Sequence, residues 1–229
     1  MVSPTRDGRV VLLHGQPGVG AAWRRVVGML DGTLDVLAPD RPGYGRNARP
    51  AGGIIGNVEW LTELLDEHGD GLPTVVVAHS WAGGPALELA YRHPAAVSGL
   101  VLVGSVGPDA LTRVDHVLAT PGFTRTVTRI ASYARRHPSR WNTFVVEQQA
   151  LFTELAEVLD HLESVATPAV VIAGRRDRVT PFAASEALAA RLPQAELVAV
   201  PKGGHALHRT HPEVVAHAIR RMLGDVARP

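Results

Sequence analysis

The chain has 229 residues, 45% of them hydrophobic, which suits one domain with a sizeable core. Its 23 basic and 22 acidic residues nearly balance, so composition gives no electrostatic reason to expect binding to nucleic acid or to an anionic membrane. It contains no cysteine, which excludes disulfides, thiolate catalysis, iron–sulfur clusters and cysteine zinc sites.

Short β-branched runs alternate with helical patterns along most of the chain. Strands separated by helices imply parallel crossovers, and runs that are nearly all apolar, instead of alternating, are typical of parallel strands covered on both faces. We therefore predict an α/β fold with a doubly wound, mostly parallel sheet of about six strands. The predicted strands are 9–13, 34–38, 74–78, 99–104, 169–173 and 197–200.

The stretch 108–164 interrupts this alternation, because it contains two helical patterns and no convincing strand. The patterns cover 127–134 and 144–162. We predict a single domain, 1–229, in which a small helical lid at 108–164 is inserted into a core formed by 1–107 and 165–229. Two ordinary crossover helices with solvated charged faces are the alternative. Five side chains are candidates for lining a pocket under the lid, although a buried seam between lid and core explains them equally well: Phe123, Trp141, Phe144, Gln148 and Phe152.

Ser80 follows the third predicted strand and precedes an apolar helical pattern. Ala78 and Ala82, two positions before and after it, are small, as a sharp strand-to-helix turn that presents a nucleophile requires. This small-x-Ser-x-small pattern is degenerate, so its weight depends on motifs elsewhere in the chain.

Four other segments accompany the serine turn in a fixed order. They are VVLLHGQPG at 10–18, APDRPGYG at 38–45, GRRDRVTP at 174–181 and GGH at 203–205. With the serine turn, they resemble the α/β-hydrolase family in content and in the chain order Ser, Asp, His. The resemblance covers most of the chain. It implies a serine hydrolase that cleaves a small ester, lactone or related carbonyl compound through an acyl-enzyme, without a cofactor.

The resemblance also implies a catalytic triad. A serine hydroxyl is a poor nucleophile unless a base removes its proton, and imidazole titrates in the useful range. Ser80 is expected to attack, His205 to carry the proton and Asp177 to orient the histidine. Asp109, which follows the preceding strand, is an alternative acid. For Asp177 itself, the alternative role is that of a turn residue at a helix start.

The oxyanion hole is assigned by the same resemblance to the backbone N–H groups of Gln16 and Trp81. Pro17 has no N–H, so the loop offers a single donor at that point. We interpret His14 as a structural histidine that bonds loop carbonyls, not as a proton-transfer group. Of Trp81 and His79, one is expected to line the pocket and the other to face the core; the sequence leaves open which.

Two other kinds of site are possible from the same residues. The segment 15–20 and Asp40 superficially resemble a dinucleotide-binding unit, but the glycine spacing is G-x-x-G-x-G instead of G-x-G-x-x-G. His205, His208 and His211 stand at steps of three, yet on a helix the third ring swings away from the first, and no carboxylate pair supports them. We predict no metal site and no cofactor.

Serine at the nucleophile position argues against dehalogenase and epoxide-hydrolase chemistry, which relatives perform through an aspartyl ester. Carbon–carbon bond hydrolysis, perhydrolysis and a non-hydrolytic role, such as ligand binding or cyclisation of a biosynthetic intermediate, stay open, because proteins of this fold do all three. Lid and loop positions determine the substrate, and they are the hardest to interpret from one sequence.

Most relatives begin with two additional strands, whereas only eight residues precede Arg9. If Met1 is the native start, the exposed sheet edge is expected to be kept short or covered by a second copy in a homo-oligomer. No apolar run is long enough to span a bilayer, and the N-terminus lacks the layout of a secretory signal, so we expect a cytoplasmic protein. We expect a small-molecule substrate, and neither nucleic acid nor membrane as a partner.

Overall fold

The computed structural model describes residues 6–30, 32–111, 115, 136 and 138–226. Its strands form one parallel sheet in the order β2-β1-β3-β4-β5-β6. All six predicted strands are confirmed, with bounds that differ by two residues or fewer. The strands are β1 (Gly8–Leu13), β2 (Leu34–Leu37), β3 (Thr74–His79), β4 (Gly99–Val103), β5 (Ala169–Gly174) and β6 (Ala195–Val200).

The four central strands of the sheet, β1, β3, β4 and β5, are buried on both faces. Val10 and Leu12 belong to one hydrophobic cluster, Val11 and Leu13 to the other, and all four are 0% exposed. This explains why the central strands are nearly continuous apolar runs. Apart from short 3-10 helices, the helices with described bounds are α1 (Arg24–Val27), α2 (Ile54–Glu67), α3 (Gly83–Arg92), α4 (Pro138–Thr153), α5 (Leu155–Asp160), α6 (Phe182–Arg191), α7 (Leu207–Thr210) and α8 (Pro212–Val226). Apolar residues of α1, α7 and α8 cover one face, and those of α2, α3 and α6 cover the other.

The second helical pattern of 108–164 is present, but as two helices: α4 ends at Thr153 and α5 begins at Leu155. The carboxylate of Glu154, between them, accepts a hydrogen bond from the backbone N–H of Ile55 at 2.9 Å. A carboxylate at the first turn of α2 is favourable because the N-terminal N–H groups of a helix lack partners. The first pattern, 127–134, and Phe123 lie outside the described residues, and the division into core and lid stays a prediction.

Parallel strands end at the same edge of the sheet, and this edge gathers the predicted site residues. Gln16 follows β1, Ser80 follows β3, Asp177 follows β5 and His205 follows β6. Since β1, β3, β4, β5 and β6 are successive neighbours in the sheet, residues far apart in the chain meet there. Within the described residues, no helix is long and apolar enough to cross a membrane.

Candidate active site

Ser80 has a left-handed backbone, with φ of 56°. A non-glycine residue in this region costs on the order of 1–3 kcal/mol, so the surrounding structure has to hold it there. Ala78 and Ala82 are 0% exposed, which agrees with the small residues that a tight turn requires. The N–H of Val106 donates to the carbonyl of Ser80 at 3.2 Å. A side chain at Gly83 would collide with Ser105, so the start of α3 also has to be small. The turn therefore presents the Ser80 hydroxyl at the end of β3.

The three triad candidates form one hydrogen-bonded chain. His205 Nε2 lies 2.9 Å from Ser80 Oγ, and His205 Nδ1 lies 2.9 Å from Asp177 Oδ2. The other carboxylate oxygen, Oδ1, accepts the N–H groups of Val179 at 2.8 Å and Thr180 at 3.0 Å. Asp177 thus orders its own turn and contacts the imidazole at the same time. When Nδ1 donates to the carboxylate, Nε2 is left as an acceptor for the serine proton.

Asp109, the alternative acid, is exposed, whereas Asp177 contacts the ring of His205. Gly104 leaves the room for that contact. It has a φ of +51°, and an added Cβ would lie 3.3 Å from both Asp177 Oδ2 and His205 Nδ1. The structure therefore brings Asp177 to the histidine, and any larger residue at position 104 would crowd the pair.

Trp81 and His79 take different roles. Trp81 lines the cavity next to Ser80, and its indole N–H donates to the carbonyl of Glu147 at 2.8 Å. His79 is buried beside the triad candidates, with Nε2 3.1 Å from the carbonyl of His205. The structure thereby answers the question that the sequence left open: Trp81 faces the pocket, and His79 supports the loop that carries His205.

Sequence interpretation missed a buried ion pair. Arg41 and Glu147 are both 0% exposed and pair with each other, and the Tyr44 hydroxyl donates to Glu147 at 2.7 Å. Arg41 Nε donates to the carbonyl of His14 at 2.7 Å, and the guanidinium carbon lies 4.6 Å from the centre of the Trp81 ring. The pair therefore connects α4 to the loop after β1 and to the turn of Ser80.

His14 is structural, as its sequence context indicated. Its Nδ1 lies 2.8 Å from the carbonyl of Gly15, and its Nε2 accepts the backbone N–H of Arg41 at 3.0 Å. Burial, assisted by the charge of Arg41, lowers the pKa of His14 to about 3. A neutral ring with both nitrogens used by the backbone is unsuited to proton transfer.

Asp40 is likewise structural. Its carboxylate accepts the backbone N–H groups of Gly20 at 2.7 Å and Arg46 at 2.8 Å. Burial raises the pKa of this carboxyl, but the two hydrogen bonds, together with the positive charge of Arg46 and the influence of His14, lower the pKa below its ordinary value. The glycine-rich segment and Asp40 therefore close a loop around a carboxylate, which accounts for the spacing that superficially resembled a dinucleotide site.

His208 is buried against two other aromatic rings. Its ring centre lies 4.3 Å from that of His79 and 4.9 Å from that of Trp23. Burial lowers the pKa of His208 to about 4 and that of His79 well below the ordinary histidine value. Across the described residues, no group of three histidine or acidic side chains is arranged to hold a metal ion.

A cavity of about 330 Å³ opens above Ser80. Its lining includes two of the five predicted pocket residues, Phe144 and Gln148. Trp141 stacks on Phe144 with ring centres 5.3 Å apart, and Phe152 lines other surface depressions. The remaining lining residues are Gln16, Trp81, Val106, Ala110, Leu111, Asp115, Leu151, Arg178, Val179, Thr180 and His205. A larger depression of about 430 Å³, beside Arg24, Arg25 and Arg209, contains none of the triad candidates.

Residues 10–218 match the sequence model of the alpha/beta hydrolase family. The chain belongs to this family. As an α/β-hydrolase it has the expected six-stranded parallel sheet with helices on both faces. The match covers both the Ser80 turn and the segment of His205.

Several relatives of this α/β-hydrolase are named as hydrolases or esterases. A pimeloyl-[acyl-carrier protein] methyl ester esterase of Aromatoleum aromaticum is 33% identical, over 93% of this chain and 97% of the relative. A 2-hydroxymuconate semialdehyde hydrolase of Pseudomonas putida is 29% identical, over 84% of this chain and 78% of the relative. The haloalkane dehalogenase DbeA from Bradyrhizobium elkani superposes with a TM-score of 0.77 at 20% identity, covering 96% of this chain and 90% of that one. The last likeness concerns the fold alone. Together the relatives indicate a hydrolase in general.

The buried neutral imidazoles of His14, His79 and His208 predict a steep loss of stability in mild acid. The unfolded chain takes up protons at these histidines near pH 6.5, whereas burial lowers all three pKa values in the folded protein. Because the unfolded state binds more protons, the free energy of unfolding decreases as the pH is lowered below about 6.5. The decrease is up to about 1.4 kcal/mol per pH unit for each histidine. Urea unfolding at pH 7.5, 6.0 and 5.0 measures this slope above the range in which most carboxylates titrate.

The variant His208→Gln provides the control, because it removes one of the three titrating groups. Its slope between pH 6.0 and 5.0 should be smaller by about a third of the wild-type value, as three equal contributions require. An identical slope in the two proteins would show that His208 is not held neutral by the fold.

Proposed function

We propose that this α/β-hydrolase is a serine hydrolase that cleaves a small ester, lactone or related carbonyl compound through an acyl-enzyme. The observation that carries the proposal is the hydrogen-bonded chain from Asp177 through His205 to Ser80, with 2.9 Å at each step. The relative named as a methyl ester esterase, aligned over nearly the full length of both chains, supports an ester as the substrate class.

In the proposed reaction, Ser80 Oγ attacks the substrate carbonyl carbon while its proton passes to His205 Nε2. Asp177 stabilises the resulting imidazolium through Nδ1. The negatively charged carbonyl oxygen accepts hydrogen bonds from the backbone N–H groups of Gln16 and Trp81. Collapse of the intermediate breaks the bond to the leaving group, which takes the proton from Nε2. Water then gives a proton to His205, attacks the acyl carbon and releases the acid, and the proton returns to Ser80.

The surroundings of Ser80 fit this scheme. An added Cβ on Gly15 would lie 3.0 Å from the Ser80 Cβ, so the loop that carries Gln16 passes directly against the nucleophile. The cavity of about 330 Å³ suits a small acyl group. Serine at position 80 speaks against a dehalogenase reaction through an aspartyl ester, although DbeA shares the fold. Cytoplasmic location and self-association stay predictions from the sequence.

A second candidate is hydrolysis of a carbon–carbon bond with the same triad. The relative named as a 2-hydroxymuconate semialdehyde hydrolase supports a substrate other than an ester as this second candidate. Turnover of a diketone, together with failure to cleave any ester in a panel of short- and long-chain esters and lactones, would favour this candidate over the first.

Ser80→Ala tests the proposal. We expect turnover of the ester and lactone panel to fall by about 10⁴-fold or more, because triad nucleophiles account for most of the rate enhancement. The matched control is Ser164→Ala, since Ser164 is exposed and belongs to the short helix Leu162–Ser164. Turnover by Ser80→Ala within tenfold of the wild type would contradict the proposal.

A further inference from the structure

Three polar side chains form a hydrogen-bonded row along one wall of the cavity. Gln16 Nε2 donates to Gln148 Oε1 at 2.7 Å, and Gln148 Nε2 donates to Asp115 Oδ1 at 3.1 Å. We call Gln16, Gln148 and Asp115 the amide row. The row ends at Gln16 Oε1, a buried acceptor that finds no hydrogen-bond partner among the described residues.

Asp115 fixes the orientation of both amides. Its carboxylate and its backbone carbonyl only accept hydrogen bonds, and both lie near Gln148 Nε2, at 3.1 and 3.4 Å. Gln148 therefore directs its Oε1 towards Gln16, and Gln16 presents its NH₂ group to that oxygen as the donor. The oxygen of Gln16 is then left over. Rotating either amide by 180° would set two donors or two acceptors against each other, so the unpaired acceptor is a consequence of the whole row.

A buried acceptor without a partner has lost its hydrogen bond to water, and a ligand that donates to it recovers that free energy. Gln16 and Ser80 line the same cavity, and the loop of Gln16 passes against the nucleophile. Most of the other side chains around the cavity offer hydrocarbon surface: Trp81, Val106, Ala110, Leu111, Phe144, Leu151 and Val179. The cavity thus combines a mostly apolar lining with polar side chains, among them Gln16, whose Oε1 has no hydrogen-bond partner among the described residues.

We infer that the substrates of this site carry a hydrogen-bond donor, a hydroxyl or N–H group, next to the carbonyl that Ser80 attacks, and that the Gln16 side chain accepts it. The inference rests on the proposed function and adds a substrate class to it. A purely hydrocarbon acyl group of the same size leaves Gln16 Oε1 unpaired in the bound state. A site built to pair with a donor discriminates against analogues that lack it.

Three methyl esters of equal chain length test this: butanoate, 2-hydroxybutanoate in both enantiomers, and 2-methoxybutanoate. The methoxy ester keeps the electron-withdrawing oxygen but has no O–H donor, so it controls for intrinsic reactivity. Each kcat/KM is divided by the rate constant for hydroxide-catalysed hydrolysis of the same ester. We expect the better 2-hydroxy enantiomer to exceed the 2-methoxy ester by about tenfold to a hundredfold.

Two variants remove the acceptor in different ways. Gln16→Met deletes it but keeps the backbone N–H, and Gln148→Leu removes the partner that orients Gln16. In both variants, the corrected kcat/KM for the hydroxy ester should exceed that for the methoxy ester by only about threefold or less. A preference of that size is what a single weakened hydrogen bond provides. Gln149→Leu makes the same chemical change at the next, exposed position of α4 and should keep the wild-type ratio. Reaction of Ser80 with a fluorophosphonate verifies that the triad is intact in each variant.

The outcomes separate this inference from the function on which it rests. Cleavage of the hydroxy and methoxy esters at equal corrected rates would overturn the donor preference but would not contradict the proposed serine hydrolase. Loss of the preference in Gln149→Leu would have the same consequence. No turnover and no fluorophosphonate labelling of the wild type would overturn both. For esters that bind without turnover, the concentration that halves the labelling rate of Ser80 gives the same comparison, with the same expected ratio.

Discussion

Asp177→Asn should lower kcat for ester hydrolysis by about 10⁴-fold, the loss typical of a triad carboxylate replaced by its amide. The contacts of Asp177 give the reason. The oxygen that accepts the N–H groups of Val179 and Thr180 has to remain an oxygen, so the NH₂ group of the asparagine faces His205. His205 Nδ1 then accepts and its Nε2 carries the proton, which leaves no base for the hydroxyl of Ser80.

Asp109→Asn is the control for this prediction, because Asp109 was the alternative acid and is exposed. Its kcat should stay within about twofold of the wild type, as expected for a surface substitution. Both variants should unfold at wild-type urea concentrations, since the asparagine preserves the backbone contacts of the turn. A large loss of kcat in Asp109→Asn with an unchanged Asp177→Asn would reverse the assignment of the acid.

Arg41→Met should lower the free energy of unfolding by about 3–5 kcal/mol, because it leaves Glu147 buried without a counter-charge. Burial raises the pKa of the Glu147 carboxyl above its ordinary value, against the charge and hydrogen bonds of Arg41 and the hydrogen bond of Tyr44. Without Arg41, the only one of these groups that still favours the ionised carboxylate is the hydroxyl of Tyr44. The double variant Arg41→Met, Glu147→Leu should be more stable than Arg41→Met, since it buries no charge at this place. Urea unfolding at pH 7.5 measures all three proteins.

The exposed pair Arg49–Glu63 is a matched control. Its atoms are 2.6 Å apart, but the side chains are 47% and 57% exposed. Arg49→Met should therefore cost less than about 1 kcal/mol, as is usual for solvated ion pairs. Equal costs for Arg49→Met and Arg41→Met, or a double variant less stable than Arg41→Met, would show that the burial of Glu147 does not dominate the energetics.

The strands and the contacts among Ser80, His205 and Asp177 could be predicted because their signals are local. Each strand is a short apolar run, and each candidate triad residue stands just after one of them, so the parallel order of the sheet brings Ser80, Asp177 and His205 together. The turn at Ser80 needed only small residues at Ala78 and Ala82. None of these inferences required knowledge of which side chains from distant segments pack against each other.

Pairings between the helical segment and the core could not be predicted in the same way. Arg41 and Glu147 are 106 positions apart, and Gln16 and Gln148 are 132 apart. One signal was available: Glu147 lies three residues after Phe144 and four before Leu151, within the apolar stripe of the predicted helix. A charge in such a stripe indicates a buried partner. Its identity, and the choice between Trp81 and His79 for the pocket, depend on how α4 packs over Ser80.

Site-resolved labelling with a fluorophosphonate tests the central assignment most directly. The folded protein is treated with the reagent, digested and mapped by mass spectrometry. One adduct per chain is expected on the peptide that contains Ser80, with no adduct in Ser80→Ala. Labelling should be much slower in His205→Gln, because His205 Nε2, 2.9 Å from Ser80 Oγ, is the proposed base. An adduct on another residue, or wild-type labelling no faster than that of Ser80→Ala, would contradict the assignment of Ser80 as the nucleophile.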